Sequence, residues 1–446
     1  MDSEEAEPAG TTISDLPDHL IVRILSFLPA LTAVFTSLIS RRFRHLWTLS
    51  PSATFDFSVF PAYSSPSTTL RFFSLFVDRF LLLRRRSSPL DSFQLLRFPY
   101  SDDSSRASLD AWIIHALSSH ARHVTLEFVN SRHVAHHDLP YDFPLSVLRG
   151  AALESLSLEY CSVVPPAEPV RLPYLRSLRL ESVFLPGSMA SDLASSWCPN
   201  LEEFRFSGSM GVSELRICSS GLRYLELRSM HHPGEDGLRL ELDCPALEEL
   251  SLVEMPIQRV VVIDLSSLVA FRVSFGPKTF SNLLYWRAAV RILMFAPHIK
   301  LLETPNAWIR LERQDVFPST FVLNNLKHLE LRTNYEPYNI LGLEQLLLLC
   351  PNLVTMTLDR DWEYDEICFV MWQWFTEELL DEPRILNMPN VREIILKQWT
   401  GTRDEQDFLD LVMTQGVALE FIRIDTVESS ETITLGRRPT SAEVRQ

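Results

Sequence analysis

One segment of the chain is rich in side chains that bind metal ions in proteins. His133, His136 and His137 lead up to Asp138, and imidazole and carboxylate groups are ordinary zinc ligands. Their spacing matches no zinc template, and no cysteine lies near them in the sequence. We therefore expect a histidine-rich loop here and no metal site.

The remaining residues of chemical interest form no catalytic or cofactor motif. Gly208 and Gly211 make a lone G-x-x-G, without the lysine of a phosphate loop or the third glycine of a dinucleotide fingerprint. No local Ser/His/Asp or Cys/His arrangement and no nucleophile-elbow turn is present in the sequence. The sequence thus predicts a non-catalytic protein without a cofactor. A hydrolase or transferase built from distant residues stays open, and it would show activity in the purified chain.

The composition indicates an acidic protein with a large core. Hydrophobic residues make up 46% of 446 residues, and 41 basic against 57 acidic residues give a net charge of -16. An acidic surface repels phosphate backbones, which argues against nucleic acid as a partner. The six cysteines are scattered without a C-x-x-C pair, as in reduced intracellular proteins. Because neither a signal peptide nor a membrane-spanning stretch is recognisable, we expect the cytoplasm and/or nucleus and no membrane.

Residues 13–48 have the pattern of a small helical unit, preceded by a solvated tail of residues 1–12. Pro29 ends a first helix, and shorter helices are expected around residues 31–38 and after Ser40. Three short helices expose more apolar surface than ~35 residues can cover, so this unit must pack on its own chain or dock to a partner. Apolar residues at every fourth position predict one apolar face of the first helix: Leu16, Leu20, Ile24 and Leu28.

Residues 49–89 have a mixed pattern and are predicted to form a connector. Its first half is rich in Ser and Pro, which indicates turns and extended chain. Residues 72–86 predict a buried helix that ends in three arginines. Positive charges suit that position because they face the negative C-terminal end of the helix dipole.

From residue 90 onward the spacing L-x-x-L-x-L recurs along the chain. Shorter intervals between its starts match leucine-rich repeats, and longer ones require insertions or irregular helices. Alternating strands of an unrelated α/β fold are the alternative. The clear matches start at Leu153, Leu175, Leu201, Leu222, Leu247, Leu268, Leu326, Leu353, Val391 and Leu419, and weaker ones at Leu90, Val124 and Ile299.

The L-x-L pattern assigns a direction to each strand residue. The two leucines point into the core and the residue between them faces solvent. The outward positions carry both signs of charge, which suits a target-binding surface with charge complementarity to a protein; a merely solvated charged face is the alternative. The charged residues at these positions are Arg179, Arg205, Glu226, Arg272, Glu330 and Arg423.

Proline stands just before several of the predicted strands. Proline ends the preceding helix or loop and allows an extended strand to follow. It stands in this position at Pro173, Pro199, Pro245, Pro351 and Pro389. Many leucine-rich repeats carry Asn or Cys three positions after the last leucine, but only Cys161 and Asn334 stand there. We therefore expect no internal asparagine ladder.

The N-terminal unit resembles the F-box, and the rest of the chain resembles plant F-box/leucine-rich-repeat proteins with a C-terminal FBD segment. The F-box likeness is carried by ISDLPD (13–18), ILSFLP (24–29), AVFTSLIS (33–40) and RRFRHLW (41–47). The further likeness is carried by FVDRFLLLR (76–84), DAWIIHAL (110–117), LESLSLEYC (153–161), LPYLRSLRLESVF (172–184) and residues 388–424.

The resemblance implies an α/β fold, a leucine-rich-repeat solenoid with a parallel sheet on its concave face behind a small three-helix F-box. The implied order is a disordered tail (1–12), the F-box (13–48), a connector with a helix (49–89), leucine-rich repeats (90–387), FBD-like terminal repeats (388–425) and a disordered tail (426–446).

The resemblance also implies a function without chemistry by this chain. An F-box binds a Skp-type adaptor and through it a cullin, in an SCF-type cullin–RING ubiquitin ligase. The repeats then bind a target protein close to the conjugating enzyme, so that proximity raises the rate. A repeat scaffold or ligand-sensing protein without a ubiquitin-ligase role is the alternative. The residues matching adaptor-binding positions are Leu16, Pro17, Leu20, Ile24, Leu25, Leu28, Val34, Leu38 and Trp47.

Overall fold

The computed structural model divides the chain into two compact units. The N-terminal unit comprises Met1–Leu185 with Ser196–Leu201, and the C-terminal unit comprises Pro186–Ser195 with Glu202–Gln446. The residues described are 13–85, 88–100, 103–129, 140–208, 212–229, 237–274, 283–305, 321–360, 383–427 and 432–436.

Short helices occupy the first part of the N-terminal unit. Pro17 and Pro29 stand directly before α1 (Asp18–Leu25) and α2 (Ala30–Phe35), where the missing proline N–H removes no intrahelical hydrogen bond. Three 3-10 segments, Ile13–Asp15, Thr36–Leu38 and Phe43–Leu49, complete the region. The predicted small helical unit is thus confirmed, with 3-10 geometry in its last segment. Its core consists of Ile21, Leu25, Ala30, Ala33, Phe43 and Leu46.

The connector contains a strand and a long helix. β1 (Ser52–Asp56) lies where turns and extended chain were predicted, so the sheet begins well before residue 90. α3 (Pro66–Leu83) follows Ser65, whose hydroxyl accepts a hydrogen bond from the first turn. It therefore starts earlier than the predicted helix over residues 72–86, and it ends before the three arginines.

The main sheet of the N-terminal unit is parallel and follows chain order. After β1 come β2 (Ser92–Phe98), β3 (His123–Phe128), β4 (Tyr141–Pro144), β5 (Ser155–Glu159), β6 (Cys161–Val164) and β7 (Ser177–Glu181). β1 pairs with β2, β2 with β3, β3 with β5, and β5 with β7. β4 and β6 form a separate parallel pair, and α4 (Asp103–Ser118) connects β2 to β3.

The C-terminal unit continues the same construction in two sheets. Its strands are β8 (Glu203–Ser207), β9 (Glu214–Cys218), β10 (Tyr224–Arg228), β11 (Leu238–Asp243), β12 (Glu249–Val253), β13 (Ile257–Asp264), β14 (Ala270–Ser274), β15 (Leu301–Pro305), β16 (His328–Arg332), β17 (Thr355–Asp359), β18 (Glu393–Trp399), β19 (Phe421–Thr426) and β20 (Thr432–Gly436). The main sheet runs β8-β10-β12-β14-β15-β16-β17-β18-β19-β20, and β9, β11 and β13 form the second sheet. All neighbouring pairs are parallel except β19 with β20.

Among the described residues of the C-terminal unit, four α-helices accompany these strands. They are α5 (Gly187–Asp192), α6 (Leu283–Met294), α7 (Pro337–Leu349) and α8 (Arg403–Gln415). Over the described ranges, no helix is long and apolar enough to cross a membrane.

The leucines of the repeated motif form buried rows across the strands. Leu225 of β10 lies in register with Phe204 of β8 and Leu250 of β12, and all three side chains are fully buried. Each L-x-L occupies the two inward positions of its strand, so burying one row fixes the register of the next. The predicted leucine-rich-repeat sheet is thereby confirmed.

The second sheet of the C-terminal unit was not predicted. Leu240 of β11 lies in register with Leu215 of β9 and Val260 of β13, and all three are buried. The returning segments of these repeats are therefore strands. Their alternation of apolar and charged residues, as in ELRIC at 214–218, carries the signal in the sequence.

A ladder of exposed asparagines joins four of the repeats to the repeats before them. Each asparagine stands immediately before the first apolar residue of a repeat, not three positions after the last one. Its side-chain N–H donates to a carbonyl of the preceding repeat: Asn200 to Pro173 at 2.8 Å, Asn325 to Pro297 at 2.7 Å, Asn352 to Asn324 at 3.0 Å and Asn390 to Pro351 at 2.9 Å. All four asparagines are exposed, so they do not form the internal ladder at the position after the last leucine, whose absence we expected.

The end of the chain is more ordered than predicted. Residues 426–446 were expected to form a disordered tail, but β20 pairs antiparallel with β19 over Asp425 to Phe421. Its sequence TITLG at 432–436 alternates apolar and polar residues, and alternation of that kind fits a strand at a sheet edge. The last parallel strand is therefore covered on its outer edge.

Candidate protein-binding surfaces

The helical region exposes large apolar side chains that a monomer ordinarily buries. Phe27 is 77% exposed and Leu38 is 82% exposed. Exposed apolar area of this kind marks protein interaction sites in soluble proteins. We call the exposed set the N-terminal apolar surface; its members are Ile13, Leu20, Ile24, Phe27, Phe35, Leu38 and Ile39.

The apolar pattern of α1 divides between two helix faces. Ile21 and Leu25 are buried, whereas Leu20, Ile24 and Phe27 are exposed. Leu20 and Ile24, at i and i+4, lie on one side of α1, and Phe27 is exposed in the turn that follows the helix. A helix that is apolar on two faces can pack on its own chain and still offer a surface to a partner.

The structure divides the nine predicted adaptor-binding residues into three groups. Pro17, Leu20, Ile24 and Leu38 are exposed, and Leu16, Leu28 and Val34 are half-buried. Leu25 and Trp47 are buried, at 3% and 8% exposure. Their side chains therefore belong to the core, which corrects their assignment to the surface.

Sequence reasoning missed four members of the N-terminal apolar surface. Ile13, Phe27, Phe35 and Ile39 all lie outside the every-fourth-residue pattern on which the prediction was based. The sequence does contain a signal for them, which is the number of large apolar side chains and not their spacing. Residues 13–39 contain more of these side chains than one helix face can bury.

Arg42 links the last helical segment to the start of α1. Its guanidinium donates to Asp18 Oδ1 from Nε at 2.8 Å and from Nη2 at 2.6 Å, and to the Leu16 carbonyl at 2.5 Å. The ion pair is solvent-exposed, so it contributes little to stability. Its geometric effect is to fix the start of α1 relative to residues 36–42.

Trp47 packs the helical region onto the connector. The Trp47 ring lies 5.0 Å from the Phe80 ring of α3, which in turn lies 5.2 Å from Phe55 of β1. Aromatic pairs at these separations stabilise beyond the area that they bury. The helical region is thus anchored through its last segment, and the N-terminal apolar surface stays free.

On the sheet of the C-terminal unit, the outward positions carry a ladder of opposite charges. Arg205 and Glu226 are in register on β8 and β10, with 3.3 Å between Nη1 and Oε2. Arg272 and Glu303 are in register on β14 and β15, with 3.5 Å between Nε and Oε2. Pairs of opposite charge on neighbouring strands support the sheet.

All six predicted target-binding residues lie at outward positions, and each is in an ion pair. Arg179 is on the N-terminal unit and the other five are on the C-terminal unit. The partners are Glu181 for Arg179, Glu203 and Glu226 for Arg205, Arg228 for Glu226, Glu249 and Glu303 for Arg272, Lys397 for Glu330, and Glu393 for Arg423. Their orientation follows the L-x-L pattern, while their role in target binding stays a prediction.

Glu226 is the centre of the densest part of this ladder. It accepts a hydrogen bond from the Tyr224 hydroxyl at 3.0 Å and from Arg228 Nη2 at 2.7 Å, and the Arg205 guanidinium lies 4.7 Å from the centre of the Tyr224 ring. Burial raises the pKa of Glu226, but these hydrogen bonds and the two arginine charges outweigh burial and lower the pKa overall. The carboxylate is therefore ionised and firmly placed at neutral pH.

The sheet face of the N-terminal unit has a different charge pattern. Glu127, Glu159 and Glu181 stand in register on β3, β5 and β7. Burial raises the pKa of Glu159, and the neighbouring charges of Glu127 and Glu181 raise it further. Arg179, which pairs with Glu181 on the same face, offsets this rise only in part, so the pKa of Glu159 stays raised.

Comparison with known proteins assigns both regions to families. A model for the F-box domain matches residues 13–53, and a model described as "At1g61320/AtMIF1, LRR domain" matches residues 85–442. The second match alone spans more than half of the chain. The chain belongs to the F-box/leucine-rich-repeat family. The N-terminal apolar surface therefore lies on an F-box, and the charge ladder lies on leucine-rich repeats.

Relatives of this F-box protein are found in Arabidopsis thaliana. The putative FBD-associated F-box protein At5g53635 is 26% identical over 97% of this chain and 99% of its own length. The F-box/FBD/LRR-repeat protein At3g52680 is 30% identical, over 54% of this chain and 51% of its own. The F-box/LRR-repeat protein At3g26922 is 34% identical, over 43% and 57%. The first likeness runs the length of both chains, which confirms the resemblance to plant F-box proteins with an FBD segment.

A buried ion pair anchors the terminal repeats of the F-box protein. Glu405 of α8 is fully buried, and it accepts a hydrogen bond from Arg360 Nη1 at 3.1 Å. It also accepts from the Thr402 amide at 2.7 Å, while the Thr402 hydroxyl caps α8. The capping box fixes the start of α8, and the ion pair with Arg360 joins α8 to the end of β17.

The predicted histidine loop cannot be compared with the structure. His133, His136, His137 and Asp138 lie outside the described residues. Within the described part of the chain, no group of three or more His, Cys, Asp or Glu side chains is placed to bind a metal ion.

Proposed function

We propose that this F-box protein is the substrate-recognition subunit of an SCF-type cullin–RING ubiquitin ligase. The observation that carries the proposal is the N-terminal apolar surface on a segment that matches the F-box domain. A Skp-type adaptor would cover this surface and connect the chain to a cullin. Burying seven large apolar side chains in one interface supplies the driving force for stable association.

The leucine-rich repeats would bind the target protein. The charged side chains of their outward face are already paired with one another. A target must therefore present charged groups that replace one partner of these ion pairs. The chain itself would do no chemistry; it raises the local concentration of the target at the conjugating enzyme. Such a complex works in the cytoplasm and/or the nucleus, where we propose that this protein acts.

The adaptor is tested by co-purification with the full chain. We expect the Phe27→Glu and Leu38→Glu double variant to lose a Skp-type adaptor, because a charge would be buried in an apolar interface. Ile263→Glu is the matched control, since Ile263 is an exposed apolar residue of β13, 55% exposed, on the C-terminal unit. Failure of the wild-type chain to bind any Skp-type adaptor would favour a repeat scaffold without a ligase role.

The target surface is tested separately by charge reversal. Glu226→Lys with Arg272→Glu reverses two positions of the ladder that belong to different ion-pair groups. We expect target capture to fall at least tenfold while adaptor binding stays unchanged, because the two surfaces lie on different parts of the chain. Capture that is unaffected would mean that these residues form only a solvated face.

A further inference from the structure

Arg84 is a buried cation without a counter-charge. It follows α3 directly and is 7% exposed. Its Nη2 donates to the carbonyl of Ser50 at 2.6 Å and of Pro89 at 3.2 Å, while its buried Nε has no hydrogen-bond partner. Among the described residues, no carboxylate forms an ion pair with it. Carbonyl oxygens and the C-terminal end of α3 offset part of the desolvation cost, but an unpaired buried charge stays unfavourable.

Arg84 lines a cavity of about 870 Å³ within the N-terminal unit. The cavity lies between the C-terminal parts of α3 and α4, and its lining adds further donors, among them Arg85, Ser118 and His115. Asp78 is the one carboxylate among the described lining residues, and it already accepts a hydrogen bond from Trp112 Nε1 at 2.7 Å. The lining is therefore rich in cationic and hydroxyl groups and poor in negative charge.

The pKa of His115 reflects its burial and the positive charge of Arg84 in this cavity. Burial lowers the pKa of His115, and the charge of Arg84 lowers it further. The two groups are thus close enough to repel each other when both are charged. An anion between them would relieve both the burial of Arg84 and this repulsion.

We propose that this cavity binds a small ligand carrying an oxyanion, a phosphate or a carboxylate, whose negative charge lies against Arg84. The planar guanidinium presents N–H groups in the geometry that such anions accept. A volume of about 870 Å³ is that of a small-molecule site. Leu81, Leu82 and Ala111 form apolar walls that suit the rest of the ligand.

The position of the cavity gives the ligand a structural consequence. Arg84 and its neighbours contact the end of the last F-box segment: the Arg85 amide donates to the Thr48 carbonyl at 3.2 Å, and the Ser88 hydroxyl donates to the Leu49 carbonyl at 3.0 Å. A ligand bound to Arg84 would stabilise this junction between the F-box and α3. Binding is thus expected to raise the unfolding midpoint of the full chain.

The first test is a titration of the full chain with inorganic phosphate and, in a separate arm, with benzoate, against chloride at equal ionic strength. We expect one of the two anions to bind and to raise the unfolding midpoint, which identifies the oxyanion. Arg84→Met should weaken that binding at least tenfold. Arg149→Met, which removes an exposed arginine paired with Glu168, should leave it unchanged. Absence of binding by both anions, or equal binding by Arg84→Met, would overturn the proposal and leave Arg84 as a link between carbonyl groups.

A second measurement does not depend on a variant that folds. The pKa of His115, followed by NMR with and without the anion that binds, should rise when a negative charge occupies the cavity. His328, an exposed histidine of β16 on the C-terminal unit, provides an internal comparison. A pKa of His115 that does not move on saturation would place the anion elsewhere and contradict the proposal.

Discussion

At the scale of single residues, side chains of one type have opposite roles depending on which face they occupy. Leu25 is 3% exposed and Leu38 is 82% exposed, although both belong to the F-box and both matched adaptor-binding positions. Burial in the free chain makes Leu25 a determinant of stability. Exposure leaves Leu38 available to a partner.

Leu25→Ala and Leu38→Ala separate these two roles. We expect Leu25→Ala to lower the free energy of unfolding by ~2–5 kcal/mol, because it leaves a cavity. Leu38→Ala should change it by less than about 0.5 kcal/mol, as exposed substitutions do, while weakening adaptor binding. Urea denaturation and adaptor titration measure the two effects. Equal losses of stability would contradict the assignment of surface and core.

Glu159 shows the cost of a row of like charges. Its pKa is raised in the folded state above the ordinary value of 4.5, by burial and then by Glu127 and Glu181. Ionisation of Glu159 therefore opposes folding at neutral pH, and this penalty disappears as the pH falls below the unfolded-state pKa. Glu159→Gln should raise the thermal unfolding midpoint near pH 7 and have no effect near pH 4. A variant that is less stable near pH 7 would contradict this account.

At the scale of elements, the repeats are joined by more than their buried leucines. The asparagine ladder connects the turn before four of the strands to the turn of the preceding repeat. Each bond satisfies a carbonyl that the sheet leaves free. The register of the sheet is thus fixed both in its core and at the N-terminal ends of its strands.

Two neighbouring asparagines test the ladder. Asn352→Ala removes the donor to the Asn324 carbonyl at 3.0 Å and should cost ~1 kcal/mol of unfolding free energy. Asn324→Ala keeps that carbonyl and removes only a side chain, so it should be nearly neutral. Chemical denaturation of both variants decides the matter. An equal effect of the two substitutions would mean that the ladder does not stabilise the array.

The stability of α8 depends on the buried carboxylate of Glu405. Glu405→Ala removes the carboxylate that pairs with Arg360 and half of the capping box of α8. We expect a loss of ~3–5 kcal/mol in local stability, the usual effect of breaking a buried pair. Hydrogen exchange of α8 and β19 should increase, whereas the exposed control Asp407→Ala should leave it unchanged. Unaltered exchange in Glu405→Ala would show that the ion pair is dispensable.

At the scale of the whole molecule, the sequence predicted what is periodic and missed what depends on three-dimensional context. The L-x-x-L-x-L spacing predicted the buried rows of the sheet, as at Leu225 and Leu250, because period two fixes the face of each residue. β1 was missed because Ala53 and Phe55 stand in a segment rich in Ser and Pro. The cavity at Arg84 could not be predicted, since a run of arginines looks like a solvated helix end until the packing is known.

The residues of the candidate site were likewise predicted only in part. A family resemblance identified the F-box, and exposed Leu20 and Leu38 were among the residues that it named. It could not separate them from buried Leu25 and Trp47, because a helix that is apolar on two faces gives no sequence signal for which face is free. The ion partners of Glu226 and Arg272 likewise depend on strand register across repeats.

The most direct test is amide hydrogen exchange of the full chain with and without a Skp-type adaptor. Our account predicts slower exchange in residues 13–39, around the N-terminal apolar surface, and unchanged exchange in β8, β10 and β14, where the target would bind. Unaltered exchange in residues 13–39 at saturating adaptor, or protection confined to the repeat strands, would contradict it.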